Sequence, residues 1–190
     1  MTDTGTPEPP RQTDDSSPTV NRHQLLGEAN VRRIGRWAFP VHELTQDGGA
    51  LALLGRTGWF KIYFGSGQRI ELADGVRWQI RSVRVGSTVC PVIRDASGRK
   101  VAIAGIRHGT YGINTAHNAY VFYAAEPRRL GRWSWMLRDF EDELAVVTRS
   151  PLSIEAQQPI PFGVVFLCFV LARYGILGES APTLPSLRWG

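Results

Sequence analysis

A long apolar run near the C-terminus constrains the fold more than any other part of the sequence. It extends from Ile160 to Ala172 and carries no charged side chain. Pro161 suits the first turn of a helix, Gly175 and Gly178 suit helix ends, and the run is longer than a buried strand usually is. The sequence therefore predicts a helix over residues 160–177. Because this helix is apolar on every face, it must be surrounded by protein or by lipid.

Two surroundings are open for this helix. A β-sheet could enclose it, or residues 160–177 could be a membrane tail anchor. A bilayer core needs about twenty apolar residues, and Arg173 falls inside this segment, which favours enclosure. The arginine side chain could nevertheless extend to a membrane interface, so the anchor stays open as the alternative.

The two ends of the chain differ in composition from its middle. Residues 1–20 are rich in Pro, Ser, Thr and Asp, which predicts a disordered acidic tail. Residues 21–34 are expected to form a linker or short helix, and residues 179–190 a C-terminal tail. The first residues lack the charged and then apolar pattern of a secretory signal, so none is expected. One domain over residues 35–178 is the simplest division.

The charge of the chain is concentrated outside the N-terminal tail. One of the 22 basic and four of the 17 acidic residues lie in the first twenty positions, which leaves 21 and 13, a formal charge of +8. All of the basic residues except Lys61 and Lys100 are arginines. Arginine suits bidentate binding of phosphate or carboxylate, although the base composition of a genome can also raise its frequency.

Residue types that hold metals or cofactors show no suitable spacing. Cys90 and Cys168 lie in apolar neighbourhoods without a CxxC motif, which predicts buried, reduced thiols and a reducing cytosol. The acidic residues 139–143 surround a turn but lack the spacing of a calcium loop. No metal and no cofactor are expected. The histidines also have no metal-ligand spacing; they are His23, His42, His108 and His117.

Short β-type runs separated by turn residues follow Ala50. Their spacing is typical of an antiparallel sandwich or barrel, and no intervening segment has the helical period of a βαβ unit. The predicted strands cover residues 51–54, 59–64, 68–72, 76–85, 87–94, 100–107, 110–114, 120–125, 133–138 and 144–149.

Two of the predicted hairpins resemble each other. In the first, Ile93-Arg94-Asp95 precedes a turn and then Val101-Ala102; in the second, Leu137-Arg138-Asp139 precedes a turn and then Leu144-Ala145. The similarity indicates either a weak internal repeat or the common use of Arg-Asp before a hairpin turn.

Polar and apolar side chains alternate along the strand predicted for residues 76–85. The expected core face carries Val76, Trp78 and Ile80. The expected solvent face carries Arg77, Gln79 and Arg81. The phase changes at Val83, which predicts a β-bulge near Arg81-Ser82.

Three segments carry a resemblance to a known family: Val92–Ala102, Trp133–Asp139 and Pro159–Ala172. A sheet of many short strands with Asp-containing hairpin turns, followed by a wholly apolar C-terminal helix, resembles the tubby C-terminal-like superfamily. That grouping contains the tubby domain, the phospholipid scramblases and the plant LURP-one-related proteins. The resemblance covers roughly residues 35–178.

The resemblance implies a fold and a class of function. The fold is mainly β, an antiparallel closed barrel of about ten to twelve strands around the C-terminal helix. The function is that of a membrane-associated or phosphoinositide-type binding module, and no particular enzyme is implied. Scramblases also carry a cysteine cluster and an acidic calcium-binding stretch, which are missing here, and this argues against calcium-dependent scrambling.

Basic residues on polar strand faces and at hairpin ends are the candidates for binding an anion or a lipid head group. If they converge, each contributes on the order of 1 kcal/mol near an anionic surface; if they are scattered, they serve solubility. Single-stranded nucleic acid could stack on Trp133, Trp135 or Trp189, but nucleic acid is not expected as the partner. The candidates are Arg77, Arg81, Arg84, Arg99, Lys100, Arg128, Arg129 and Arg132.

One literal motif points to an enzyme. Arg107-His108-Gly109, with Asn114 further on, resembles the phosphohistidine loop of the histidine phosphatases, in which Arg and Asn hold the phosphoryl oxygens while His attacks. That loop should close the first strand of an α/β domain, whereas here it lies among hairpins. The alternative without a catalytic role is a polar turn between a strand that ends at Arg107 and one that begins at Thr110.

The sequence therefore favours a non-enzymatic binding module, cytoplasmic and peripheral at a membrane, with phospholipid head groups as the expected ligand. A protein-interaction module of unknown ligand and a tail-anchored membrane protein are the alternatives. A histidine-phosphatase-like enzyme is a remote one.

Overall fold

The structure is a computed structural model that describes residues 23–34, 41–56, 68–86, 88–107, 110–125 and 134–174. These residues form twelve strands and one helix. The strands are β1 (Gln24–Ile34), β2 (Val41–Gln46), β3 (Gly49–Arg56), β4 (Gln68–Leu72), β5 (Arg77–Val85), β6 (Thr88–Asp95), β7 (Lys100–Arg107), β8 (Thr110–Thr115), β9 (Ala119–Ala124), β10 (Ser134–Arg138), β11 (Glu143–Arg149) and β12 (Leu152–Pro161). The helix is α1 (Phe162–Tyr174).

The strands form one closed antiparallel barrel. Each strand pairs with the next one in the chain, and β1 pairs with β12, so the sheet has no free edge. Closure is specified by long-range pairing of Leu25 with Ile160 and of Ala29 with Ile154, all four of which are buried. The predicted fold class, a closed barrel of ten to twelve antiparallel strands around an apolar helix, is confirmed.

Alternation of side chains along the strands directs the apolar ones inward. In β4, for example, Ile70 and Leu72 are buried while Arg69 and Glu71 are exposed. Successive side chains of a strand point to opposite faces, so every strand of a closed barrel has one face toward the interior and one toward the outside. The interior face is apolar nearly throughout.

Helix α1 fills the interior of the barrel. Every residue from Phe162 to Ala172 is buried, and the helix packs against β1, β6, β7, β8, β11 and β12. Trp78 of β5 adds an edge-on contact to Phe166, with ring centroids 6.5 Å apart. The predicted enclosure is confirmed for residues 162–172, which a tail anchor would require to leave the barrel. Among the described helices, none has the length and hydropathy needed to cross a bilayer.

A glycine lets the first turn of α1 approach the barrel wall. A Cβ atom at Gly163 would lie 2.9 Å from Cγ1 of Val101 and 3.3 Å from Cβ of Ala102, closer than such atoms pack. Because valine has little freedom at χ1, the wall could not yield easily. Gly163 therefore sets the distance between α1 and β7.

The barrel has two ends that differ in which segments meet there. Strand β12 finishes and α1 begins at the end that we name the helix-start end, where the turns after β2, β4, β6, β8 and β10 also lie. The odd-numbered strands finish at the opposite end, which α1 reaches with its C-terminal part and which we name the helix-finish end.

The structure changes three predicted boundaries: those of the linker at residues 21–34, of the start of the barrel domain at residue 35, and of the start of the helix at residue 160. The prediction of a linker or short helix over residues 21–34 is wrong for Gln24–Ile34, which form β1, so the barrel begins before residue 35. The helix begins at Phe162, because Ile160 and Pro161 still pair with β1. Residues 1–20, 59–64, 175–177 and 179–190 lie outside the described residues.

The predicted bulge near Arg81-Ser82 is wrong. Strand β5 pairs with β6 in unbroken register from Trp78 to Val85. Arg84 is therefore on the same strand face as Trp78, but it lies past the core and is exposed. From Val83 onward β5 extends beyond the core. Its residues there no longer need to alternate between apolar and polar types, and this explains the change of pattern in the sequence.

The two similar hairpins have the same local geometry. The register shifts between Ile93 and Arg94 in the β6–β7 hairpin and between Leu137 and Arg138 in the β10–β11 hairpin. In each turn the first Asp accepts two backbone N–H groups on Oδ1: Asp95 from Ser97 and Arg99, and Asp139 from Glu141 and Asp142. The sequence similarity thus corresponds to a shared turn structure.

The Asp139 turn should depend on pH. The backbone N–H of Asp142 and then that of Glu141 lower the pKa of the Asp139 carboxyl below its usual 3.8. A depressed folded pKa adds stability above the unfolded pKa of about 3.9, and this stability is lost as the pH falls through the folded pKa. We expect Asp139→Asn to lower the urea midpoint at pH 7, and the difference from the wild type to shrink below about pH 4.

Glu143→Gln is the control for this prediction, since it removes one negative charge from the same hairpin without touching the turn hydrogen bonds. A difference between Asp139→Asn and the wild type that is the same at both pH values would show that the ionised carboxylate contributes nothing to the turn.

Candidate functional site

Arginines stand at the helix-finish end of the barrel on one strand after another. Of the strands that finish there, β3, β7 and β11 have Arg as their last residue, and β1 and β5 have it as the last but one. Strand β4 begins at this end with Gln68-Arg69. We name these residues the basic rim: Arg33, Arg56, Arg69, Arg84, Arg107 and Arg149.

Acidic residues are absent from the described strand ends that carry the rim. Neither Asp nor Glu occurs among the two terminal residues of any described strand at the helix-finish end. Most described acidic residues lie instead at the helix-start end, in or beside its turns. These are Glu71, Asp47, Asp74, Asp95, Asp139, Glu141, Asp142 and Glu143. The two ends of the barrel thus differ in their acidic residues: the helix-start end carries acidic residues together with basic ones such as Arg94 and Arg138, whereas the described strand ends at the helix-finish end carry arginines and no acidic residue.

Arg84 and Arg149 are rim residues whose side chains stand at the mouth of the barrel, whereas Arg69 lies on the outer face of β4. Arg84 and Arg149 each lie on the core face of their strand, two residues or more beyond the last buried side chain, and both are exposed. Among the described residues, no ion pair involves either of them. Their guanidinium groups are therefore available at the mouth of the barrel.

Other arginines of the barrel are already engaged with neighbours. Arg32 pairs with Glu43 across β1 and β2. Arg77 pairs with Glu71, with Nη2 3.1 Å from Oε1. The positive charge of these wall residues is partly neutralised, whereas no carboxylate of the described part of the chain pairs with Arg84 or Arg149.

Two large apolar side chains are exposed beside the rim. Val85, next to Arg84, is 58% exposed, and Ile106, next to Arg107, is 51% exposed. Both belong to the helix-finish end, on strands separated only by β6. An apolar group beside a cation is the combination that suits the interface between water and lipid.

The structure does not bring the described candidate residues into one site, although Arg99 and Lys100 line the same cleft. Arg84 lies at the helix-finish end, Arg81 lies on the outer wall and donates to Oε1 of Gln79 at 2.8 Å, and the other described candidates lie toward the helix-start end. Those others are Arg77, Arg99 and Lys100. Arg128, Arg129 and Arg132 lie outside the described residues, between Ala125 and Ser134.

Five rim residues were absent from the predicted site: Arg33, Arg56, Arg69, Arg107 and Arg149. A signal for them existed, because in an up-and-down barrel every second strand ends on the same side. Arginines that close alternate predicted strands, such as Arg107 and Arg149, could have been grouped on that basis.

Only part of the phosphatase-like motif lies within the described residues. Asn114 pairs with Ile103 in the β7–β8 ladder, four positions from Arg107, or about 13 Å along the strand. The backbone positions of the two residues are therefore well separated in the ladder. Strand β7 ends at Arg107 and β8 begins at Thr110, as a simple turn between strands requires; His108 and Gly109 lie outside the described residues.

The cysteines are nucleophilic side chains that lie within the described residues. Cys90 and Cys168 are buried and unbridged, as predicted, and burial raises the pKa of both thiols. Within the described segments, no three His, Cys, Asp or Glu side chains are grouped as metal ligands.

No family model, no curated protein and no solved structure matches this chain.

Proposed function

We propose that the protein is a non-enzymatic binding module that holds the helix-finish end of its barrel against an anionic membrane surface. The observation that carries the proposal is that Arg84 and Arg149 are exposed at the helix-finish end, among strand ends that carry further arginines and no described acidic residue. We also propose that the chain is related to the tubby C-terminal-like superfamily, and the membrane-associated function which that resemblance implies agrees with binding at an anionic membrane surface.

The spacing of the rim favours a surface over a single small ligand. Neighbouring strands lie about 4.8 Å apart, so arginines on alternate strands are separated by roughly twice that distance around the mouth. Groups arranged in a ring address several phosphates side by side. Phospholipid head groups in a membrane provide such an array, and guanidinium groups bind phosphate with two parallel hydrogen bonds.

The exposed apolar residues add a second type of contact. Val85 and Ile106 lie among the rim arginines and could enter the boundary between head groups and acyl chains while the arginines bind phosphate. A polyanion such as nucleic acid would use the arginines but would gain little from aliphatic side chains, because its bases stack on aromatic rings.

Removing two rim charges should weaken binding to anionic vesicles. Each arginine near an anionic membrane contributes about 1 kcal/mol, so the double variant Arg84→Ala with Arg149→Ala should bind roughly 30-fold more weakly. Co-sedimentation with vesicles of phosphatidylcholine, with and without phosphatidylserine, measures the change. Binding of the wild type should also decrease as salt rises from 0.1 M to 1 M, where the Debye length falls from about 10 Å to about 3 Å.

The double variant Arg77→Ala with Arg81→Ala is the charge-matched control, since it removes two charges from the outer wall. It should keep nearly all of the binding, and both variants should melt like the wild type because all four side chains are exposed. Equal sedimentation with neutral and anionic vesicles would refute the proposal and favour a protein-interaction module. If the control variant lost more vesicle binding than the rim variant, the outer wall of the barrel and not the rim would be the membrane-binding surface.

A further inference from the structure

A cleft opens beside the first turn of α1 at the helix-start end. Its volume is about 570 Å³, within the roughly 300 to 1,000 Å³ of sites that bind small molecules. Residues from β1, β5, the β6–β7 hairpin and the β8–β9 turn meet there. The cleft lies at the opposite end of the barrel from the basic rim, so membrane binding does not account for it.

The inner part of the cleft is apolar and partly aromatic. Trp78 and Phe162 lie at its base, both almost fully buried, and Val101 lines the wall beside the helix. The ring of His23 stands nearly perpendicular to that of Trp78, with centroids 5.7 Å apart. A flat apolar group of a ligand would find aromatic and aliphatic surface here.

The outer part of the cleft carries positive and polar groups. Lys100, Arg99 and His117 are exposed and line it. No ion pair among the described residues involves Lys100, whereas Nε of Arg99 is 3.0 Å from Oδ2 of Asp95. The ammonium group of Lys100 is therefore a cation at the cleft without an ion-pair partner among the described residues.

The acidic groups near the cleft are already hydrogen-bonded. Asp95 accepts from the hydroxyl of Ser97 at 2.6 Å, and this bond together with its contacts to Arg99 lowers the pKa of its carboxyl. Asp74 binds Nε2 of His23 at 2.7 Å, which lowers the pKa of the Asp74 carboxyl. Asp95 also lines the cleft, but among the described residues it is paired with Arg99, and no hydrogen bond or ion pair joins Asp95 or Asp74 to Lys100.

We propose that this cleft binds a small organic anion with a flat apolar body. The anionic group contacts Lys100, with Arg99 and His117 beside it, and the apolar body lies toward Trp78 and Phe162. Three features carry the proposal: the cavity has the size of a small-molecule site, aromatic side chains lie at its inner end, and Lys100 stands at its outer end without a described ion-pair partner. Sites of this kind are mostly apolar and place a few polar groups to fix orientation.

The test compares two ligands of the same shape with the full chain. We expect 1-naphthoate to bind at least about tenfold more tightly than neutral 1-naphthalenemethanol, because a charged hydrogen bond in the cleft favours the anion. Isothermal titration measures both affinities, and NMR shifts of the Trp78 indole and of the amides near Lys100 locate the ligand. Equal affinities, no binding of either ligand, or shifts away from these residues would overturn the proposal.

Two variants separate the charge from the cavity. Lys100→Gln should bring the affinity for 1-naphthoate down to that for the alcohol, while Arg77→Gln, at the same end but paired with Glu71 on the outer wall, should leave it unchanged. Ala116→Trp places a large side chain at an exposed turn position that lines the cleft, and should block both ligands. A Lys100→Gln protein that still prefers the anion would contradict the assignment. Binding to anionic vesicles should be unchanged in Lys100→Gln, since it depends on the other end of the barrel.

Discussion

A chain that ends at Pro161 is expected to lose the cooperative barrel fold, although it keeps all twelve described strands. Helix α1 supplies fully buried side chains such as Val164, Phe166 and Leu167. Each contributes about 1.5 to 3 kcal/mol, and their sum is comparable with the roughly 5 to 15 kcal/mol of a typical domain. A barrel of eight strands can fill its interior with its own side chains, but a wider one cannot. Without α1 the barrel would be hollow and apolar inside.

The measurement is expression and thermal unfolding of this truncated chain beside one that ends at Tyr174. The control chain keeps α1, so it should be soluble and unfold in one cooperative transition like the full protein. The chain ending at Pro161 should be insoluble or unfold without a transition. If it were soluble and melted cooperatively, the stability of the barrel would have to come from strand pairing and not from the helix.

Much of the sheet could be predicted because its turns are local and chemically distinct. The turn between β4 and β5 contains Asp74 and Gly75, and that between β6 and β7 contains Asp95 and Gly98; both glycines have positive φ. Glycine adopts such angles at no steric cost, and Asp accepts the N–H groups of the turn. The boundaries of β4 to β11 therefore followed from short stretches of sequence.

The strands that close the barrel could not be predicted in the same way. Strand β1 contains Gly27 at a positive φ and a shift of register beside it, and β12 contains Pro159 and Pro161. These residues disfavour regular strands, so the local pattern is weak. Pairing between Leu25 and Ile160 supplies the missing stability, and a contact between the two ends of the fold is not visible in either segment alone.

The candidate site was less predictable than the fold, because it depends on which strand ends lie on the same side. The sequence placed Arg77 and Arg81 on one face of a strand, and the structure agrees, yet that face is the outer wall and Arg77 has an acidic partner. Arg84 was grouped with them, whereas the unbroken register of β5 places it on the other face at the mouth of the barrel. A residue's strand face follows from local alternation, but its neighbours across the barrel follow only from closure.

Phe166→Ala is expected to cost about 3 to 5 kcal/mol of unfolding free energy, the largest effect we expect from a single substitution in this protein. Phe166 is 1% exposed, lies in the middle of α1, and contacts Trp78 of the wall and Phe162 one turn before it. Truncation removes the transfer free energy of the ring and leaves a cavity that the closed barrel cannot collapse to fill. For a protein of this size the midpoint of thermal unfolding should fall by roughly 6 to 20 °C.

Phe140→Ala is the matched control, since it makes the same chemical change at a side chain that is 87% exposed at the tip of the β10–β11 turn. Its unfolding free energy should stay within about 0.5 kcal/mol of the wild type. Urea and thermal unfolding of the two variants, monitored by circular dichroism, give the comparison. Similar losses in both would mean that Phe166 is not enclosed by the barrel, and a loss below about 1 kcal/mol in Phe166→Ala would mean that the wall relaxes around the helix.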